Sequence, residues 1–184
     1  GAKNYDKIDL ENFNGSFSNK ETEQFVLIAT NKVNDDIAIA QYNSGLWKTN
    51  YLNKKTRRSF ELKLDDSEVK KIQYTNDGES FYALTDKGYL YRINTTTAAI
   101  EFPYEDRKIT DFTLHPTSSN LLVLAQDSTL IYQSTTEKIS LSVRQLDWLN
   151  SSEILIMDNE FTLHRLNVRD FNLKPVPIFL PRFY

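Results

Sequence analysis

The 184-residue chain has no cysteine, one methionine, two histidines, five glycines and five prolines. Without cysteine there is no disulfide framework and no thiolate ligand, and a zinc or copper site would need His115, His164 and carboxylates gathered from distant segments. The absence fits an exported bacterial domain and equally a short chain that lacks cysteine by chance. Five scattered glycines (Gly1, Gly15, Gly45, Gly78, Gly88) cannot form the clustered cradle that holds a phosphate or dinucleotide. With so little glycine, the tight turns are expected to fall to Asn and Asp, which tolerate left-handed backbone better than other side chains. Long apolar runs are missing too. The longest, Phe25 to Ala29 and Leu121 to Ala125, fall far short of the roughly 18 residues that read as a membrane helix. Gly1-Ala2-Lys3-Asn4-Tyr5 has no signal-peptide character, and Gly1-Ala2 without an initiator Met reads as a cleavage scar, so a longer parent chain is expected.

What is present suits a globular domain. Hydrophobic residues make up 40% of the chain and charged residues 26%, enough apolar side chain for a core. The 22 basic and 25 acidic residues leave a net charge of −3, which argues against a dedicated nucleic-acid binder. No window repeats apolar residues at helical spacing over three turns. Short β-rich runs recur instead, as in Ile37 to Tyr42, Tyr89 to Ile93 and Thr129 to Tyr132, each bounded by Asn, Asp, Ser or Gly. The pattern predicts an all-β chain.

Laid against itself, the chain repeats. Val69-Lys70-Lys71-Ile72-Gln73-Tyr74 aligns with Ile109-Thr110-Asp111-Phe112-Thr113-Leu114 and with Val143-Arg144-Gln145-Leu146-Asp147-Trp148. Each is followed by a polar turn, an apolar strand (Phe81 to Leu84, Leu121 to Leu124, Ile154 to Met157), an Asx-containing hairpin and another strand. A fainter copy lies upstream, with strands over Phe25 to Thr30 and Ile37 to Gln41, a hairpin at Asn43 to Trp47 and a fourth strand over Arg58 to Leu64. Four short strands every 34 to 43 or so residues is the period of a β-propeller blade.

In Asp86-Lys87-Gly88-Tyr89-Leu90 and Asp127-Ser128-Thr129-Leu130, and in Ile109 to Pro116, the chain resembles the degenerate WD-repeat superfamily of propellers, and TolB-like propellers equally. The likeness spans roughly Phe25 to Leu180 and concerns blade architecture alone. Ile93-Asn94, Gln133-Ser134 and Leu166-Asn167 stand where a Trp-Asp pair would close a third strand, and no Gly-His opens a blade. The resemblance implies about four four-stranded antiparallel blades, near 24–64, 68–104, 108–142 and 143–180. These fill a domain over 20–184 behind a lead segment over 1–19, complete in itself or part of a larger ring. The apolar run Val176 to Tyr184 is expected to form the outer strand of the last blade or an interface.

Few residues suggest chemistry. Asp111, Thr113, His115 and Ser118-Ser119 contain the residue types of a hydrolytic triad, but Asp111 and His115 lie two pleats apart, about 13 Å along a strand. A structural role in a turn is expected. The pairs Asp35-Asp36, Asp65-Asp66 and Glu105-Asp106 lack calcium-loop spacing and read as solvated turns. The sequons at Asn14, Asn94 and Asn150 matter only in a secreted eukaryotic protein. Phe112, Trp148 and Tyr74 sit at repeating positions and read as packing residues.

The strongest local charge feature is Lys48 to Arg58. It reads as a solvated loop, or as a basic surface for an acidic partner, an anionic lipid surface or nucleic acid. The candidate interaction surface is therefore Trp47, Tyr51, Lys54, Lys55, Arg57 and Arg58, with Phe183 and Tyr184 at the end of the chain. The expected function is a non-catalytic protein–protein interaction or scaffold module, without cofactor or metal. Membrane attachment would come only through an anchor elsewhere in a longer parent. Two alternatives stand beside it: an extracytoplasmic structural or sensory domain of a bacterial envelope protein, and a glycan-acting propeller enzyme.

Overall fold

The computed structural model describes residues 26–34, 36–41, 45–50, 57–60 and 68–177, and all regular structure among them is strand. The first sheet contains β1 (Val26–Thr30), β2 (Asp36–Gln41), β3 (Gly45–Asn50) and β4 (Arg57–Phe60). The second contains β5 (Val69–Tyr74), β6 (Ser80–Thr85), β7 (Leu90–Asn94) and β8 (Ile100–Glu101). The third contains β9 (Ile109–Leu114), β10 (Leu121–Ala125), β11 (Thr129–Tyr132) and β12 (Thr135–Lys138). The fourth contains β13 (Val143–Trp148), β14 (Glu153–Asp158), β15 (Leu163–Asn167) and β16 (Leu173–Pro175). Each sheet is an antiparallel meander in chain order. The all-β expectation holds, with four such sheets in succession.

Some local expectations need correction. Leu46 and Trp47 belong to β3 and not to a hairpin, and the fourth strand of the first sheet begins at Arg57. The outer strand of the last sheet is Leu173–Pro175, upstream of the apolar terminal run, of which residues 178–184 lie outside the described residues. Asp36 starts β2 and is buried, so it is not a solvated turn residue, whereas Glu105 and Asp106 are exposed in a turn. Asp35, Asp65 and Asp66 lie outside the described residues.

The turns divide their work differently from the expectation. Left-handed backbone occurs at Gly78 and Gly88, and otherwise at Ala98, Ser128, Gln133, Phe161 and Phe171, never at Asn or Asp among the described residues. Asn and Asp act through their side chains instead. Asp77 accepts the Glu79 amide, Asn94 those of Thr96 and Thr97, Asp127 that of Thr129, and Asn167 that of Arg169. An Asx side chain that mimics a backbone acceptor fixes the turn, and the left-handed residue need not be the same one.

One irregularity explains the repeat's odd spacing. In each of the last three sheets the first strand carries an extra residue opposite the second strand, at Lys70, Thr110 and Arg144. In a plain strand, residues three apart point to opposite faces; a bulge between them returns both to one face. Ile109, Phe112 and Leu114 thus share one core cluster, as do Val143, Leu146 and Trp148 in another. Val69 and Ile72 pack with Tyr74 in the same way.

That face always meets the preceding sheet. Tyr74, Phe81, Ala83, Tyr91 and Ile93 pack on Ala38 and Ala40 of the first sheet. Phe112, Leu114, Val123 and Ile131 pack on Tyr82, Leu84 and Leu90 of the second. Leu146, Ile154, Ile156 and Leu166 pack on Leu122, Leu124 and Leu130 of the third. Alternate residues of one strand therefore belong to two different cores. This is why β6 is buried along its whole length, whereas β14 alternates buried and half-buried positions.

Candidate interaction site

Polar side chains link the sheets in series along two lines. The first runs through the turns between first and second strands. Asn31 Nδ2 donates to the Gly78 carbonyl at 3.0 Å. Asn76 Nδ2 donates to the carbonyls of His115 (2.7 Å) and Ser118 (2.6 Å). His115 Nε2 in turn lies 2.9 Å from the Ser151 carbonyl. Each turn thus satisfies a backbone oxygen of the next sheet's equivalent turn, a group that would be costly to leave unpaired when buried.

The second line follows the first strands. Lys71 on β5 reaches Asp111 on β9 at 2.7 Å, and the other Asp111 oxygen accepts the Leu146 amide on β13 at 3.1 Å. Gln73 accepts the Leu114 amide at 3.3 Å, and the Thr113 hydroxyl donates to Asp147 at 3.1 Å. Lys70, the bulged residue of β5, donates its amine to the Thr110 carbonyl at 2.8 Å. The columns Lys71/Asp111/Gln145 and Gln73/Thr113/Asp147 of the sequence repeat are these bridging positions. Alternation of polar residues with the apolar columns was the signal that could have identified them.

These bonds account for the residues of triad type. Both Asp111 oxygens accept hydrogen bonds, from Lys71 and its own neighbour Phe112 on one side and from Leu146 on the other. A carbonyl can only accept, so His115 Nε2 carries the proton and Nδ1 is the acceptor facing the Thr117 amide at 3.3 Å. The Ser119 hydroxyl donates to Asp77 at 3.0 Å. The three types of group are directed to separate partners on the second and fourth sheets and do not converge.

The described residues contain an acid–imidazole pair that sequence reasoning did not single out. Asp158 and His164 are 2.8 Å apart at the β14–β15 hairpin. The imidazole hydrogen bond, with the amides of Thr162 and Glu160, holds the Asp158 carboxyl below its ordinary range. Asp77 is likewise lowered, first by the Thr75 hydroxyl and then by the Glu79 amide. Burial, with the nearby Asp36 charge, raises the Tyr74 phenol, whose oxygen has no hydrogen-bond partner among the described residues. Trp148 packs edge-on to His115 (4.7 Å between centroids) and Tyr132 (5.4 Å), so it is a packing residue between the third and fourth sheets. Among the described residues no three His, Asp or Glu side chains are grouped to hold a metal ion.

The basic candidate surface is only partly in view. Trp47 pairs through its backbone with Ile39 on β2 and Ser59 on β4, so it sits on a central strand. Arg57 and Arg58 pair with Thr49 and Lys48 on the edge strand β4. Two of the four cationic positions are thus held in register on a strand edge. Tyr51, Lys54, Lys55, Phe183 and Tyr184 lie outside the described residues. No family model and no curated protein matches the sequence.

Proposed function

We propose that the chain is a non-catalytic protein-binding module whose four sheets are blades of a β-propeller, either alone or within a larger ring. The observation that carries this reading is the repeated inter-sheet seam. The first strand of each of the last three sheets lies against the sheet before it, through an equivalent bulge and equivalent apolar columns. Side chains of the types used in catalysis, Asp111 and His115 above all, serve that seam. A stack of sheets locked in this way is rigid, and rigidity lowers the ordering cost of binding. The edge strand with Arg57 and Arg58, together with Lys54 and Lys55 just before them in sequence, is what we assign to an acidic protein partner.

The test is affinity capture with the intact chain and with the variant Lys54→Glu, Lys55→Glu, Arg57→Glu, Arg58→Glu. The reading expects a protein retained by the wild type, released as salt rises above about 0.3 M, and not retained by the variant. Equal capture by both proteins would overturn the assigned surface. Turnover of a glycoside or peptide substrate by the purified chain would overturn the non-catalytic reading.

A further inference from the structure

The face of the fourth sheet that points away from the third holds residues that elsewhere in the chain are docking residues. Directly paired residues share a face, so the register places Leu155 with Asp147 and Arg165, and Met157 with Gln145 and Leu163. By the repeat, Leu155 is equivalent to Tyr82 and Leu122, Met157 to Leu84 and Leu124, and Leu163 to Leu90 and Leu130. Those six are buried because the next sheet lies on them. Leu155, Met157 and Leu163 are only half-buried. Terminal repeats that end a stack carry a polar outer face. Here the apolar column is unchanged, and the one arginine on it, Arg165 opposite Leu155, occupies the place held by Arg92 opposite Tyr82 inside the stack.

The opposite end of the chain presents the matching element. Ile28, at the middle of β1, is equivalent to Ile72, Phe112 and Leu146, the first-strand residues that seat on the preceding sheet. Phe112 and Leu146 are fully buried in that role, whereas Ile28 is 49% exposed. Behind it, Ile37 and Ile39 are already buried, so the head offers chiefly the first strand. At each internal junction the first strand docks together with residues of the second and third strands, so the head offers the first-strand part of that interface. We infer that two copies of this chain associate head to tail, β1 of one copy seating on the Leu155–Met157–Leu163 face of the other and repeating the first-strand part of the interface made three times within each chain. Such a contact joins two different surfaces, so it closes into a ring or extends as a chain according to its rotation. The inference rests on the repeat of the sheets and not on the basic surface or on a non-catalytic role.

Sedimentation of the full chain over about 1–200 µM tests it, a range in which micromolar association is visible. The expected result is a mass that grows with concentration to twice the monomer or beyond. Ile28→Asp removes every head and Leu155→Asp with Met157→Asp removes every tail, so each variant alone stays monomeric. Mixed in equal amounts they retain one good head and one good tail between them and form a one-to-one heterodimer that grows no further. That rescue also demonstrates that both variants fold; Ile28→Thr serves as the milder head variant. A wild-type chain that remains monomeric throughout, whether its tail is covered by its own residues 178–184 or left bare, would overturn the inference. Variants that assemble as the wild type does, or a mixture that stays monomeric while both components show native far-ultraviolet dichroism, would do the same.

Discussion

Lys71 and Asp111 sit 2.7 Å apart on the first strands of adjacent sheets, and the same carboxylate accepts the buried Leu146 amide of the next. One side chain therefore joins three sheets. The two partners of this ion pair are unequal. Lys71 is partly in solvent, where an ion pair contributes little, while Asp111 is nearly buried and accepts the buried backbone N–H of Leu146. Asp111→Ala should cost about 3 kcal/mol in denaturant unfolding and Lys71→Ala about 1 kcal/mol. Equal costs would mean that the ion pair, and not the amide, is what Asp111 stabilises.

Gly78 combines a left-handed backbone, φ +72°, with close approach of Asn31, whose Oδ1 an added Cβ would overlap. Gly78→Ala should therefore cost about 2–3 kcal/mol, part from the backbone and part from displacing the Asn31 bridge. In an Asn31→Ala background the clash is gone, and the same substitution should cost only about 1 kcal/mol. A double-mutant cycle by urea unfolding measures the difference. An unchanged cost would show that Asn31 does not bridge the first and second sheets.

Asp158 supplies a pH signature. Its folded carboxyl is held below its unfolded value, so its contribution is fully present above the unfolded pKa and is lost as pH falls through the folded one. Thermal unfolding at pH 5 should show the wild type above Asp158→Asn. That margin should shrink toward zero as pH falls below about 4. A margin that stays level down to pH 2 would mean that the His164 contact does not stabilise the charged carboxylate.

The four-sheet plan was legible because its signals are local. Columns such as Val69/Ile109/Val143 and Ile72/Phe112/Leu146 recur at fixed spacing, and Asx hairpins punctuate them. Their meaning was less visible. Two apolar residues three apart suit neither a strand nor a helix until the bulges at Lys70, Thr110 and Arg144 are known, and a bulge leaves no residue-type mark. Left-handed turn positions were misassigned for a similar reason. Asn and Asp at the hairpins act through side-chain acceptors, so Ser128 and Phe161 take the strained backbone that glycine takes at Gly88. The Asp158–His164 pair is six residues apart across a hairpin, and nothing in one copy of a repeat predicts a contact that the other copies lack. The basic surface was legible as charge. The placement of Trp47, Arg57 and Arg58 on strands β3 and β4 came from pairing that a charge run does not encode.

The central claim is that each sheet presents one face backward and one forward, and that the forward face of the fourth sheet is the only one of the last three not seated on a following sheet among the described residues. Leu122 and Leu155 test it directly, because they are the same residue at the same repeat position. Leu122 is fully buried against the fourth sheet and Leu155 is half-buried. In urea unfolding at a concentration where the chain is monomeric, Leu122→Ala should cost about 3 kcal/mol and Leu155→Ala about 1 kcal/mol or less. Equal losses at the two positions would contradict the account.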